Sequence, residues 1–311
     1  MYKIFVDGKD GTTGLRIYEY LKDREDIEIL TIDEAKRKDI DEKLKMMRQS
    51  DLTILCLPDE AAREAALLAP KDVRILDASS AHRVDPDWVY GMPELGKTQR
   101  EKIQSAQKTA VPGCHATGFI LLVRPLIEKG FIGADYPFAC HSITGYSGGG
   151  KKMIMEYENP DRTFEYSSPR QYGLAQKHKH LPEIMAITGI NHEPAFNPIV
   201  CDFPCGMTVS VPIAHRLLEK AACADELRQL YRSYYESAPM IDVMSTAGPA
   251  SGFLSANEFA GKNTLQIVVY GNNENIMLAA RYDNLGKGAS GGAVQCLNLM
   301  LGMQEEKGLL D

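Results

Sequence analysis

The chain has 311 residues, enough for two hydrophobic cores, and lengths of this order usually divide into two domains. Its 44% hydrophobic and 25% charged residues are ordinary for a globular protein, while a net charge of −7 with scattered Lys and Arg argues against nucleic acid or a membrane as partner. An anionic small substrate stays open, because it needs only local positive charge. No apolar run approaches the roughly 20 residues of a membrane span. The sequence opens straight into a strand (MYKIFVDG) without a charged and apolar leader, and its seven cysteines are irregularly spaced, so a reducing, cytoplasmic setting is expected.

In chain order, KIFVDG, IEILTID, LTILCLP, VRILDAS and KTAVPG read as short strands within residues 1–112, separated by helix-like stretches near 14–22, 40–49, 59–69 and 97–106. That alternation implies right-handed crossovers and a parallel sheet, its apolar runs buried on both faces. After Gly113 a helix-like stretch, ATGFILLVRPLIEKG, leads into longer alternating strands: FACHSITGYS, GMTVSVPI, NTLQIVVYG and NIMLAARYD. Runs of strands with few helices between them predict a mixed or antiparallel sheet. The last stretch, GAVQCLNLMLGMQEEKG, reads as an amphipathic helix packing back on the first domain. The expected architecture is α/β: a Rossmann-type cofactor-binding domain from residues 1–112 and 285–311, and an α+β catalytic and oligomerisation domain from 113–284. Exposed strand edges in the second domain favour a homo-oligomer, a dimer or tetramer.

Strand one ends in DGKDGTTGLRIYEYL, which places Gly8, Gly11 and Gly14 in a G-x-x-G-x-x-G spacing around Thr12 and Thr13. Glycine permits the tight turn and lets the backbone approach a pyrophosphate, which then sits on the N-terminus of the next helix. The motif follows a strand and precedes a helix, as a dinucleotide site requires; the bland alternative is a βα turn that binds nothing. Asp33, ending strand two, suits the ribose hydroxyls of NAD, yet Lys36, Arg37 and Lys38 follow at once and suit a 2′-phosphate. The residues alone leave both cofactors open.

Cys114 follows a Pro-Gly turn and precedes a helix, where the positive end of the dipole favours the thiolate, the nucleophilic form. Among the seven cysteines this position singles it out, although a cysteine merely packed at a helix start is the alternative. Cys201 and Cys205 share a loop, but CDFPC lacks a second ligand pair, so no metal is expected. Arg83, in DASSAHRVDPD after the fourth strand, heads toward the sheet's carboxyl edge and can grip phosphate through a bidentate fork. A surface ion pair with Asp85 or Asp87 would explain it as well. His178 and His180 precede Leu181 and Pro182, which opens a helix, so the two histidines are expected in extended chain with both rings on one side. Either imidazole titrates near neutral pH, and a solvated basic loop is the alternative.

Taken in order, GTTG, DASSAHR, VPGCHATG, TGYSGGGKK, HKHLPEI and NLGKGASGGAVQ resemble the N-acetyl-gamma-glutamyl-phosphate reductase family, in its shorter bacterial subclass, over nearly the whole chain. That family is related to aspartate-semialdehyde dehydrogenase and, more distantly, to glyceraldehyde-3-phosphate dehydrogenase, all of which form a thioester on cysteine. The resemblance implies NADP(H) as cofactor, Cys114 as nucleophile, Ser147, Gly148 and Gly149 near the nicotinamide and phosphates, and Asn284 near the carboxamide. It supports Arg83 as a phosphate ligand, and it puts the acid–base role on His178 with substrate contact on His180. His115 departs from the pattern, standing where many relatives carry Tyr.

The reaction so implied is NADPH-dependent reduction of N-acetyl-gamma-glutamyl phosphate to its semialdehyde, in arginine biosynthesis. Cys114 would expel inorganic phosphate from the acyl phosphate, and hydride would reduce the resulting thioester. A positioned acid would serve the oxygen that becomes negative, an effect typically worth about 10²–10⁴-fold. One rival is the same chemistry on a carrier-linked aminoadipyl phosphate or an aspartyl phosphate; a carrier would demand a basic docking surface that scattered charge does not supply. The other is a nucleotide-sensing regulator without catalysis, against which Cys114 and the two histidines argue together.

Overall fold

Short aliphatic runs cut by Gly, Pro and Asp set the pattern of the first half of the chain, and they fold as the alternation predicts. The computed structural model describes residues 1–310. Its contacts divide the chain into two units: Met1–Pro112 together with the chain from Ala289 on, and Gly113–Gly288. The first unit runs β1 (Tyr2–Asp7), α1 (Thr12–Leu21), β2 (Ile27–Leu30), α2 (Ile40–Gln49), β3 (Leu52–Leu55), α3 (Asp59–Leu68), β4 (Ile75–Asp77), β5 (Val89–Tyr90), α4 (Lys97–Ser105) and β6 (Lys108–Ala110). Its sheet has the order β2-β1-β3-β4-β6-β5, every pair parallel. β3 and β4 are buried at every position, as a sheet covered on both faces requires. The two-residue β5 is too short to leave a pattern in the sequence.

The second unit runs α5 (Cys114–Glu128), β7 (Ala139–Gly145), α6 (Gly150–Glu158), β8 (Arg170–Gln171), α7 (Leu181–Thr188), β9 (Ala195–Cys201), β10 (Met207–Ala214), α8 (Ala224–Tyr234), β11 (Ile241–Val243), β12 (Leu265–Gly271) and β13 (Asn275–Tyr282). The sheet is mixed, in the order β11-β12-β13-β10-β7-β9-β8, with parallel pairing only in β7·β9 and β11·β12 among the described residues. α5 packs on β10 and β13, and α8 on β12. The fold is α/β, a Rossmann-like parallel sheet with a second, mixed-sheet domain. Pro198 interrupts β9, which hides that strand from a reading based on strand formers. No helix among the described residues is long and apolar enough to cross a membrane.

One expectation fails. The last helix, α9 (Gly291–Met300), returns to the first unit, but it is not amphipathic: nine of its ten residues are buried. The polar residues that suggested a wet face turn inward. Gln295 Nε2 donates to Glu94 Oε1 at 2.9 Å and to Glu305 Oε2 at 3.0 Å, and Asn298 Nδ2 donates to the carbonyls of Glu305 and Lys307. Paired polar groups cost little to bury, so hydropathy alone misplaces this helix.

In the second unit α5 meets β10 and β13 through a glycine. A methyl group on Gly118 would lie 2.6 Å from the Tyr282 hydroxyl and 2.7 Å from Val209 Cγ2. Gly118→Ala is therefore predicted to destabilise the protein by about 1–3 kcal/mol through overpacking, read as a lower urea midpoint. An unchanged midpoint would mean that α5 slides to make room.

Candidate active site

The second unit's site grows from one corner of its sheet. β10 runs antiparallel to both β7 and β13, so its first residue, Met207, pairs with Thr144 near the end of β7 and with Tyr282 at the end of β13. Three stretches of chain therefore meet there. Asn284, 1% exposed, spans them: its Oδ1 accepts from the Gly206 N–H and its Nδ2 donates to Ser147 Oγ, each at 2.9 Å. Gly148 follows, where an added methyl would meet Asn284 Nδ2 at 3.4 Å. Asn284 thus fixes the Ser147-Gly148-Gly149 turn from beneath.

Cys114 is the first residue of α5 and half-buried. Its cap, Gly113, is extended and has no side chain to satisfy the helix's first N–H groups, and the first turn contains no acid. The positive end of α5 is thus left for a negative charge on sulfur. The Tyr282 hydroxyl donates to the Cys114 carbonyl at 2.5 Å and accepts from the Gly118 N–H at 3.0 Å, bridging two backbone groups one turn apart at the start of the helix. Glu183, buried in the first turn of α7, accepts from the Gly113 N–H at 3.1 Å. A methyl group on Gly288 would lie 3.0 Å from Cys114 Cβ, so the chain there passes close against the cysteine.

A helix start alone does not single out Cys114. Exposed Cys223 caps α8, a position the sequence reading missed. There the first turn carries Asp225 and Glu226, and Glu226 accepts from the Cys223 N–H, so carboxylates oppose a thiolate. Desolvation pushes the Cys56 thiol up to about 12 and raises Cys140 and Cys201 as well.

The turn before α7 corrects a second expectation. His180 has helical angles (φ −90°, ψ −12°) and the Leu181 N–H donates to the His178 carbonyl, so this is a tight turn and not extended chain. Helix formation from Leu181, with Pro182 in its first turn, draws His180 inward. The rings still come together, 4.7 Å apart, because the turn folds one over the other. On α5, next to Cys114, His115 packs its ring 5.5 Å from each of them. His115 is buried, its Nδ1 2.6 Å from Ser142 Oγ and its Nε2 2.7 Å from the Tyr172 hydroxyl. Burial, then the electrostatic influence of His178 and Lys179 nearby, pushes its pKa down to about 3, so it is neutral. Sequence reasoning gave it no role, and its only signal was adjacency to Cys114.

In the first unit the glycine turn is a cradle of bare backbone. A methyl on Gly8 (φ +88°) would lie 2.3 Å from the Cys56 carbonyl oxygen, and one on Gly14 would lie 2.4 Å from that of Gly8. α1 begins at Thr12, with neither a side-chain cap nor an acid in its first turn, which fits a pyrophosphate. The adjoining cleft is lined by Asp7, Asp10, Thr31, Arg37, Lys38 and Lys43. Asp33 Oδ1 is engaged in capping the Ala35 N–H at 3.0 Å, Lys36 pairs with Glu42 at 3.2 Å, and Arg37 meets Asp10 at 3.2 Å. Arg83 is half-buried and its Nε donates to the Val111 carbonyl at 2.9 Å. The turn bearing it is held rigidly: buried Asp77 takes bonds from Ser79 Oγ and His82 Nδ1, both at 2.7 Å, and His82 stacks on Trp88.

Two family models match the chain, described as the semialdehyde dehydrogenase NAD binding domain over residues 3–106 and the semialdehyde dehydrogenase dimerisation domain over 114–284. Aspartate semialdehyde dehydrogenase II from Vibrio cholerae shares the fold, with TM-score 0.71 at 17% identity over 97% of this chain and 98% of that one. The enzyme from Francisella tularensis gives 0.70 at 14% identity over 97% and 100%. Sequence similarity runs higher to proteins named N-acetyl-gamma-glutamyl-phosphate reductase: 44% identity to that of Trichormus variabilis over 99% of both chains, and 42% to that of Brucella ovis over 96% of this chain and 99% of that one. The chain belongs to the semialdehyde dehydrogenases and, among them, to the N-acetyl-gamma-glutamyl-phosphate reductase family.

His115 makes a pH prediction. Its folded pKa lies below the ordinary 6.5, so its contribution to stability is complete above about 6.5 and is lost as pH falls toward 3. Between pH 6 and 4 the wild type should lose stability more steeply than His115→Gln, by up to one proton's slope in urea titrations. Parallel curves would mean that His115 titrates normally in the folded state.

Proposed function

We propose that this protein reduces N-acetyl-gamma-glutamyl phosphate to the semialdehyde with NADPH, through a thioester on Cys114, as a step of arginine biosynthesis. The observation that carries the reading is the uncapped, acid-free start of α5 at Cys114, tied by Glu183 to the turn bearing His178 and His180. A dinucleotide cradle and a family in which the named relatives are acyl-phosphate reductases support it. Cys114 attacks the acyl carbon and phosphate leaves, held by Arg83. His178 serves the carbonyl oxygen and His180 contacts the substrate. Gly8, Gly11, Thr12, Thr13 and Gly14 take the pyrophosphate, with Arg37 and Lys38 at the 2′-phosphate. Ser147, Gly148 and Gly149 face the nicotinamide side, and Asn284 acts there by positioning Ser147. NADPH, when bound, supplies the hydride. Residues 1–112 with the C-terminal segment from 285 form the cofactor domain, and 113–284 form the catalytic domain through which a dimer or tetramer assembles.

Offered N-acetylglutamate semialdehyde, phosphate and NADP, the wild type should turn over, and much more efficiently than with NAD. Comparable efficiency with both coenzymes would return the ribose contact to Asp33. Cys114→Ser should abolish turnover while NADPH still binds, since the glycine cradle lies elsewhere; an active serine variant would remove Cys114 from the mechanism. Arg83→Lys keeps the charge but loses the fork, so the KM for phosphate should rise more than that for aldehyde. Equal rises would point to a structural arginine.

A further inference from the structure

His115 joins two hydroxyls that the reaction proposed above leaves unused. Burial keeps its ring neutral, so one nitrogen donates and the other accepts. Nδ1 lies 2.6 Å from Ser142 Oγ, and Nε2 lies 2.7 Å from the Tyr172 hydroxyl. Ser142 decides which nitrogen holds the proton. It lies in β7, 0% exposed, and among the described residues its hydroxyl has one partner, His115 Nδ1. A proton on Nδ1 would leave the serine hydrogen buried without an acceptor, the costlier arrangement. The serine O–H therefore donates to Nδ1, the ring proton sits on Nε2, and Nε2–H donates to the Tyr172 oxygen.

Tyr172 then holds a hydrogen that its one hydroxyl partner among the described residues does not accept. The phenol is half-buried, its backbone N–H tied to the Pro198 carbonyl of β9 at 3.1 Å and its ring 6.1 Å from that of His178. Desolvation, and then the charge of nearby Cys114, raise its pKa, so the hydroxyl stays protonated. The chain of bonds shifts the one unmet hydrogen from a buried serine to a half-exposed tyrosine beside the nucleophile, where a ligand can take it. That hydroxyl and the imidazole behind it are uncharged, which suits an amide carbonyl better than a carboxylate, whose burial asks for a cation. We infer, resting on the functional reading above, that the Tyr172 hydroxyl donates to the acetamido carbonyl of the substrate, and that Ser142 and His115 are positioning residues that turn its hydrogen there.

Spectroscopy and kinetics test the two parts separately. Nitrogen NMR of protein labelled with ¹⁵N-histidine should show a protonated Nε2 and a bare Nδ1 on His115, its signals identified by their loss in His115→Gln. Tyr172→Phe should raise the KM for N-acetylglutamate semialdehyde roughly three- to tenfold, the worth of one hydrogen bond, with kcat changed by less than about twofold. Its Ki for glutarate semialdehyde, a competitor that keeps the carboxylate and lacks the acetamido group, should equal that of the wild type. Ser142→Ala should raise the same KM by a smaller factor. The double variant should match Tyr172→Phe alone, because the serine acts only through the phenol. If the wild type fails to turn over the semialdehyde, the functional reading falls and this inference with it. If it turns over, the inference alone is overturned by a protonated Nδ1, an unchanged KM in Tyr172→Phe, an equal rise in the Ki of the competitor, or additive effects in the double variant. A kcat loss exceeding the rise in KM would place the hydroxyl at the reacting carbonyl and overturn it too.

Discussion

The Tyr282 hydroxyl, seated between the Cys114 carbonyl and the Gly118 N–H, is the interaction on which the second unit's geometry turns. A side chain inserted into the first turn of a helix would ordinarily loosen it. Here the hydroxyl satisfies both backbone groups, and it does so from the last residue of a central strand. The start of α5 is thereby pinned to the end of β13, not left to find its own depth. Gly118 follows from that, because no side chain fits where the phenol ring passes. The next residue, Asp283, accepts from the Leu285 and Gly286 N–H groups, and its carbonyl accepts from the Gly288 N–H. This turn brings Gly288 against Cys114 Cβ, so the cysteine is confined by a strand end acting from two sides.

Charge around that cysteine is arranged by omission. The first turn of α5 carries no carboxylate, and the nearest ring cluster contains a histidine that burial keeps neutral. Glu183 is buried close by, but it accepts from the Gly113 N–H, which spends a negative charge on a backbone donor. Cys223 shows the contrast within the same chain, since a helix start crowded with Asp225 and Glu226 has its dipole already answered. What distinguishes the two cysteines is the company in the first turn, not the helix.

The first unit uses buried acids in another way. Asp7 and Asp77 end β1 and β4, the two strands that flank β3 in the parallel sheet, and each is paired: Asp7 with Lys43 at 2.8 Å, Asp77 with His82 at 2.7 Å. An unpaired carboxylate at a buried strand end would be costly, so each partner is required by burial before any ligand is considered. The consequence reaches function through neighbours, because Gly8 follows Asp7 and Arg83 follows His82.

The sequence by itself determined the alternating parallel unit, the glycine turn, the helix opening at Cys114 and the four longer strands β7, β10, β12 and β13 of the mixed sheet. Each is written in local periodicity or in a turn residue whose backbone preference holds in any context. It also carried the ordered motifs that mark the family. What it did not determine were partners distant along the chain. Tyr282 lies 168 residues from Cys114, and their contact exists only because β10 runs antiparallel to both β7 and β13. α9 read as half-wet because Gln295 and Asn298 are polar, whereas buried acceptors in the fold pair them. His115 read as a neighbour of the nucleophile, and only tertiary packing set it between Ser142 and Tyr172, where desolvation keeps it uncharged. Local sequence specifies backbone conformation; hydrogen-bond partners and burial belong to the register of the sheet, which no short window contains.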